Sequence, residues 1–250
     1  MRTEKICFSN EEALSVFPDE RFHLTQAISE LHLDNHSPVI VLIGGGIDIE
    51  QEAITRQALE TLAWTAEDIH ASVICGGTEM GVMAEIGQIR SRNAYKFPLV
   101  GIAPAALVTW PGGPRSTKFL WWGKQRWPLA RHYSHFILVP GSQFGDESPW
   151  IVDTATLLSK GQESVTILMN GGAVSRKDIE LSLEKSRPVI ALNGTGRLAN
   201  ELAGQQDRHK LITVIPASAK QQVIEVVRGA LSDQETRALI KANHRISWVT

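Results

Sequence analysis

The sequence predicts an α/β fold: a single doubly wound domain built on a mainly parallel sheet of about seven strands. Three observations predict it. Short unbroken apolar runs recur, at residues 39–43, 72–75 and 165–169 among others, and such runs mark strands covered on both faces. Stretches with helical periodicity alternate with them. Glycine then closes one strand after another, at Gly44 to Gly46, Gly76 and Gly77, Gly101, Gly141 and Gly145, Gly171 and Gly172, and Gly194 and Gly196. In a parallel sheet all these ends lie on one edge, where ligands bind at the point of strand-order reversal.

The elements follow in order. Residues 5–8 suggest a short strand, and residues 11–16 and 21–31 read as helices. Residues 1–37 are expected to form an extension packed on the domain, closed by the break Asp34-Asn-His-Ser-Pro38. The run 39–43 is the first buried strand. A long helix is expected over 50–67, with Ala53, Ile54, Ala58, Leu59, Leu62 and Ala63 at helical spacing. Strand, glycines and helix repeat over 72–89, with Thr78 as the expected N-cap. A third strand ends in Gly101-Ile-Ala-Pro104. From residue 105 to 131 the rhythm stops. Trp110, Trp121, Trp122 and Trp127 fall there with Lys118, Lys124, Arg126 and Arg131. So long an irregular segment reads either as a ligand lid or as an insertion held by tryptophan packing. Further strands are expected at 135–139, 165–169, 188–192 and 211–215. Helices are expected at 150–158, 178–185, 198–203, 219–231 and 235–243. No linker composition divides the 250 residues into two domains.

Composition bounds the function. Hydrophobic content of 43% and charged content of 21% are those of an ordinary globular protein. A net charge of −2 gives no global attraction to nucleic acid or anionic lipid, so phosphate recognition has to be local. Cys7 and Cys75 match no metal spacing, and with no secretory signal a reducing cytoplasm is the expected location. No apolar run has the length of a membrane span, so direct membrane insertion is not expected.

The stretch Val73-Ile-Cys-Gly-Gly-Thr-Glu-Met-Gly81 reads as strand, glycine turn and helix start. A helix N-terminus behind such a turn offers free N–H groups and partial positive charge to an anion, although the same turn also serves without a ligand. There is no G-x-G-x-x-G after the first strand and no G-x-x-x-x-G-K-[ST], which disfavours a standard NAD dehydrogenase or a P-loop NTPase. Arg197, directly after Gly194-Thr-Gly196, can hold a phosphate or carboxylate with its planar fork, or lie solvated on the surface. Asp146 and Glu147 open a helix, where carboxylates are favourable in any case. Glu147 can instead hold a ribose hydroxyl. His135 reads as a hydrogen-bonded core histidine. No metal site and no nucleophile–base set stands out.

Five segments carry a family resemblance: Ile43-Gly-Gly-Gly46; Ile74-Cys-Gly-Gly-Thr-Glu-Met-Gly-Val-Met83; Val100-Gly-Ile-Ala-Pro104; Ser134-His-Phe-Ile-Leu-Val139 with Gly145-Asp-Glu147; and Asn193-Gly-Thr-Gly-Arg197. Together they resemble the SLOG superfamily of Rossmann-like nucleotide-ligand domains. The match is to the LSDAT-type prokaryotic relatives of the cytosolic N-terminal domain of TRPM channels. The resemblance implies a pocket for ADP-ribose, an NAD-derived compound or another nucleotide, cyclic forms included, with no cofactor required. The implied ligand-binding positions are Gly44, Gly45, Gly46, Gly76, Gly77, Thr78, Gly81, Val82, Ala103, Pro104, Gly141, Gly145, Asp146, Glu147, Gly171, Gly194, Thr195, Gly196 and Arg197. A homo-oligomer and a separate effector protein are consistent with it. The channel segments are absent from this sequence, so gating does not carry over.

The leading expectation is therefore a non-catalytic nucleotide-derivative sensor. The superfamily also holds enzymes similar to the cytokinin-activating phosphoribohydrolases, which carry P-G-G-x-G-T-x-x-E. Here Pro140-Gly-Ser-Gln-Phe-Gly-Asp-Glu147 lacks the second glycine and the threonine and differs in spacing. If the chain is an enzyme, it is a nucleotide N-glycosidase with Glu147 and Arg197 as its working residues. Single-stranded DNA binding, known in another SLOG branch, finds no basic stripe to support it.

Overall fold

Two N-terminal strands, Arg2–Phe8 (β1) and Glu11–Phe17 (β2), form an antiparallel hairpin. A short 3-10 turn leads into Leu24–Glu30 (α1). Val39–Gly44 (β3) is buried along its length except at Gly44, and the 17-residue helix Glu52–Asp68 (α2) follows it. Ser72–Cys75 (β4), Gly81–Arg92 (α3) and Leu99–Pro104 (β5) complete the first half. Two-residue strands Val108–Thr109 (β6) and Trp127–Pro128 (β7) pair with each other. The second half runs His135–Val139 (β8), Ser148–Leu158 (α4), Ser164–Met169 (β9), Ala173–Glu184 (α5), Val189–Asn193 (β10), Arg197–Gly204 (α6), Ile212–Pro216 (β11) and Lys220–Leu231 (α7). The structure, a computed structural model, describes residues 1–9, 11–35, 37–116, 125–160, 163–205 and 209–232. The helix expected at 235–243, and Lys118, Trp121, Trp122 and Lys124, lie outside the described residues.

The main sheet has the order β1-β2-β8-β5-β4-β3-β9-β10-β11 and is parallel except for the β1–β2 pair. Among the described residues it has nine strands, not about seven. The difference is the N-terminal hairpin. Residues 11–16 form a strand and not the expected helix, because β2 finds a parallel partner in β8, with Leu14 opposite His135 and Val16 opposite Ile137. That pairing overrides the local helix propensity of Glu-Glu-Ala-Leu.

Side-chain alternation sorts the core into two layers. Ile40 and Leu42 of β3 join Leu59, Leu62, Ile86 and Val223 on the face of α2, α3 and α7. Val39, Val41 and Ile43 join Leu24, Ile151, Ile179 and Leu198 on the face of α1, α4, α5 and α6. Helices thus cover both faces, as the unbroken apolar strands require. The chain leaves β3 toward β4 and β5 on one side and returns to β9 on the other, so strand order reverses between β3 and β9. Among the described residues, no helix is long and apolar enough to cross a membrane.

The described parts of the irregular segment are tied down at both ends. The Trp110 ring lies 5.7 Å from that of Phe17, and its indole N–H donates to Glu4 Oε1 at 3.1 Å. Trp127 meets Phe144 edge-on at 5.3 Å.

Candidate functional site

A cavity of about 230 Å³ opens at the C-terminal edge of the sheet, beside the β3–β9 reversal. Its floor is Leu42, Ile43 and Gly44 of β3 with Gly76 after β4. Met80 and Met83, at the start of α3, form one wall. Trp127 and Phe144 form another. The start of α4 brings Glu147 and Ile151, and the start of α5 brings Val174, Ser175 and Asp178. No side chain caps the first turns of α3, α4 or α5, so the positive ends of three helix dipoles surround this edge.

The glycines let α3 sit close against the strand ends. A Cβ on Gly44 would lie 2.5 Å from the Met169 carbonyl oxygen and from Val82. One on Gly81 would lie 2.0 Å from the Gly45 carbonyl oxygen, and Gly81 has φ +51°. Val82 N–H donates to that same carbonyl at 3.2 Å. Gly76 faces the Met83 sulfur. Thr78 is not the N-cap of α3. The helix begins at Gly81 after an extended Met80, and Thr78 instead pairs with Leu129 and turns its hydroxyl to the Met83 sulfur at 3.6 Å.

Acid chemistry concentrates in the cavity. Glu147 is buried, and one carboxylate oxygen accepts the Gly145 N–H at 2.7 Å. Burial pushes its pKa up to about 7, helped by the neighbouring Asp178 and Asp146 and opposed by backbone N–H groups. Burial likewise pushes Asp178 up to about 6, with Ser148 and Lys177 opposing. The Ser148 hydroxyl stands beside Asp178 without closing a hydrogen bond of ordinary geometry, and Ser148 Oγ and Asp178 Oδ1 are both buried without a partner. Lys177 turns away and donates to the Gly145 carbonyl at 2.7 Å.

Of the residues expected from the sequence, Gly44, Gly76, Thr78 and Glu147 line this cavity. Gly45, Gly81 and Val82 build its rim, and Gly46 has no atom within 4 Å of a Cβ position. The other positions have different surroundings. Gly77 packs on Gly101 and the Phe136 ring, so Gly101 belongs to the interior of β5 and not to a strand-end loop. Ala103 is core, and Pro104 packs against the Gly141 turn. Asp146 accepts the N–H groups of Ser142 and Gln143 at 2.8 and 3.1 Å, a local turn that holds its carboxylate below the usual range. Gly171 has φ +97° beside Leu168 and Ser175. Thr195 is fully buried, and its hydroxyl accepts the Asn170 N–H at 2.8 Å, tying the end of β9 to that of β10. The N–H groups of Gly194 and Gly196 already donate to Asn200 Oδ1 at 2.8 and 3.1 Å.

Arg197 opens α6 with φ +41° and reaches Asp48 at 3.1 Å. The pair lines a separate open groove with Ile47, Gln51, Gly196 and Asn200. The loop after β3 runs from the cavity at Gly44 to this groove at Asp48. His135 starts β8 at the opposite edge of the sheet, next to the Ser134 hydroxyl at 2.8 Å, and burial lowers its pKa to about 4. It is a half-buried, hydrogen-bonded histidine away from the cavity.

Sequence reasoning missed Asp178, Ser175 and the apolar walls. Asp178 was placed at the start of a short helix over 178–185. The helix begins at Ala173, and Ser175, Asp178, Ile179 and Ser182 then form one buried stripe at helical spacing. That spacing was the available signal.

Comparison with known proteins agrees with this architecture. The X-ray structure of TM1055 superposes with a TM-score of 0.54 at 18% identity, over 76% of this chain and 98% of that one. The structure of the molybdenum cofactor binding protein from the phototrophic bacterium Rippkaea orientalis does so with a TM-score of 0.54 at 17% identity, over 79% of this chain and 99% of that one. At these identities the likeness is one of fold. No curated protein resembles the chain closely enough to match it. Residues 37–234 match the family described as SLOG in TRPM, prokaryote, and the chain belongs to that family.

Proposed function

We propose that this chain is a sensor domain that binds a nucleotide derivative, ADP-ribose-like or cyclic, and acts through binding with no cofactor. One observation carries the reading. An apolar cavity at the strand-order reversal is ringed by three helix starts without side-chain caps, and one glycine loop joins it to an arginine-bearing groove. Aromatic and thioether walls suit a base, and helix N-termini suit a phosphate. The cavity of about 230 Å³ falls below the ~300–1,000 Å³ of pockets that enclose a whole drug-sized ligand, so it takes one end of the molecule. The phosphates then extend over Gly44 to Gly46 toward Arg197. On this reading a separate effector or a second copy would receive the signal. Isothermal titration with ADP-ribose tests the assignment. Arg197→Ala is expected to weaken binding by about 1.5–3 kcal/mol, the loss of hydrogen bonds to a charged group. An unchanged dissociation constant removes Arg197 from the site.

A second reading, N-glycosidic cleavage of an AMP- or NAD-like substrate, is favoured by one observation: Glu147 and Asp178 both titrate near neutrality inside one cavity. A carboxylate there can stabilise a cationic sugar, and its protonated neighbour can serve the leaving base. Release of free base from AMP or NAD, lost in Glu147→Gln, would establish it. Recovery of both compounds intact would exclude it.

A further inference from the structure

Asp178, which lines the cavity, and its neighbour Ser148 have no role in the binding reading above. Asp178 is 6% exposed and Ser148 0% exposed, and Asp178 Oδ1 and Ser148 Oγ are both without a hydrogen-bond partner. Buried polar groups are nearly always paired, and an orphaned acceptor in a ligand cavity marks where a donor is to be supplied. Asp178 stands on the buried stripe of α5, and Ser148 is the first residue of α4. Rotation of the hydroxyl lets Ser148 act as donor or acceptor, but a carboxylate only accepts. Glu147 lines the same cavity and is close enough for its titration to feel Asp178. Asp178 Oδ1 is therefore the acceptor without a partner at the polar end of the cavity.

The remaining walls decide what carries the donor. Trp127 and Phe144, 5.3 Å apart and edge-on, line the cavity together with Met80 and Met83. Such a slot suits a flat ring and offers little to the hydroxyls of a sugar. A ring seated beside Asp178, which lines the same cavity, would present its edge to that carboxylate. A keto oxygen on that edge would set acceptor against acceptor, whereas an exocyclic amino group would donate.

We infer that Asp178, with Ser148 beside it, is a specificity determinant that accepts a hydrogen bond from the exocyclic amino group of an aminopurine base seated between the Trp127–Phe144 wall and the methionines. The inference rests on the binding reading proposed above and names the part of the ligand that this cavity takes.

The test compares AMP with purine riboside 5′-monophosphate, which differs only in lacking the 6-amino group, by titration calorimetry on the full chain. Wild-type protein is expected to prefer AMP by roughly ten- to a hundredfold, the range for a hydrogen bond to a charged group. Asp178→Ala is expected to bring that ratio close to one, and Ser148→Ala to change it less. Thermal melting of each variant checks that it is folded. If Asp178→Ala does not fold, the wild-type ratio still decides. Equal binding of the two nucleotides by wild type overturns the inference and leaves nucleotide binding standing. So does a preference that survives in folded Asp178→Ala. Binding of neither nucleotide to wild type overturns this inference, and the ADP-ribose titration then decides the nucleotide reading separately.

Discussion

Replacing Glu147 by Gln should stabilise the protein at alkaline pH and gain little in acid. In the folded state burial holds the Glu147 carboxyl at about 7, against an ordinary value of 4.5. Between those values the unfolded chain is ionised while the folded protein retains the proton. The folded state therefore binds more protons, and its stability falls as pH rises through this window, levelling off above about pH 7. At about 1.36 kcal/mol per pH unit, the loss attributable to Glu147 is roughly 3 kcal/mol. Part of it is shared with Asp178, whose charge raises Glu147 and whose own pKa of about 6 acts with the same sign. Glutamine keeps the shape, and its carbonyl oxygen can still accept the Gly145 N–H, but it has no charge to bury. Urea denaturation at pH 4.5 and pH 8 provides the assay. The variant should exceed wild type by up to roughly 3 kcal/mol more at pH 8 than at pH 4.5, or by about 6–12 °C in Tm for a chain of this size. The same difference at both pH values would refute the view that Glu147 is held protonated by burial.

Further outcomes follow from single contacts. Gly81→Ala should lower stability by about 1–3 kcal/mol or more in urea denaturation, since its Cβ would strike the Gly45 carbonyl at 2.0 Å. Gly46→Ala, with no atom within 4 Å of its Cβ, should stay within about 0.5 kcal/mol of wild type. Asp48→Asn releases Arg197 from its half-exposed ion pair at 3.1 Å and should tighten ADP-ribose binding by about 1.5- to 5-fold in calorimetry, the scale of a surface pair. Iodoacetamide at pH 8, read by mass spectrometry, should label exposed Cys7 and spare Cys75, which is buried against the Tyr133 hydroxyl at 2.9 Å with its thiol pushed up to about 11.

How much of this was legible in the sequence depends on whether the cause was local. Val39 to Ile43 is buried on both faces, and its unbroken apolar run announced it. The alternation of such runs with helices gave the parallel sheet and the edge at which the cavity opens. Residues 11–16 read as helix in the sequence because glutamate, alanine and leucine favour it, whereas the strand exists through pairing with β8, far away in sequence. Thr78 has the side chain of an N-cap, but the bend at Gly81 starts α3 later. At the site, Gly44, Gly76 and Glu147 were legible as strand-end glycines and a helix-start acid. Trp127 and Phe144 were not recognisable as a wall, because they meet only when the segment before β8 folds back over the loop after it. The place of Arg197 in the chain was legible. That its side chain pairs with Asp48, on the loop after β3, was not.

The two halves of the proposed site are bound together by one loop. Gly44 forms part of the cavity floor, and Asp48 and Gln51, a few residues later, line the arginine groove. Cα atoms advance at most ~3.3–3.6 Å per residue, so the four steps from Gly44 to Asp48 span no more than about 14 Å. A ligand that fills the cavity and also reaches Arg197 has to follow that path, over Gly45 and Gly46. The structure gives the two kinds of glycine different reasons to lack a side chain. At Gly44 and Gly81 a Cβ would collide with protein atoms, and packing alone accounts for the residue. At Gly46 a Cβ would collide with nothing, so packing does not account for it. A bare backbone along the route between base cavity and arginine is what close passage of a phosphate chain requires. Open space alone is shared with Gly112, Gly172 and Gly204, so it is the place of Gly46 on this loop that fits it to the proposed route.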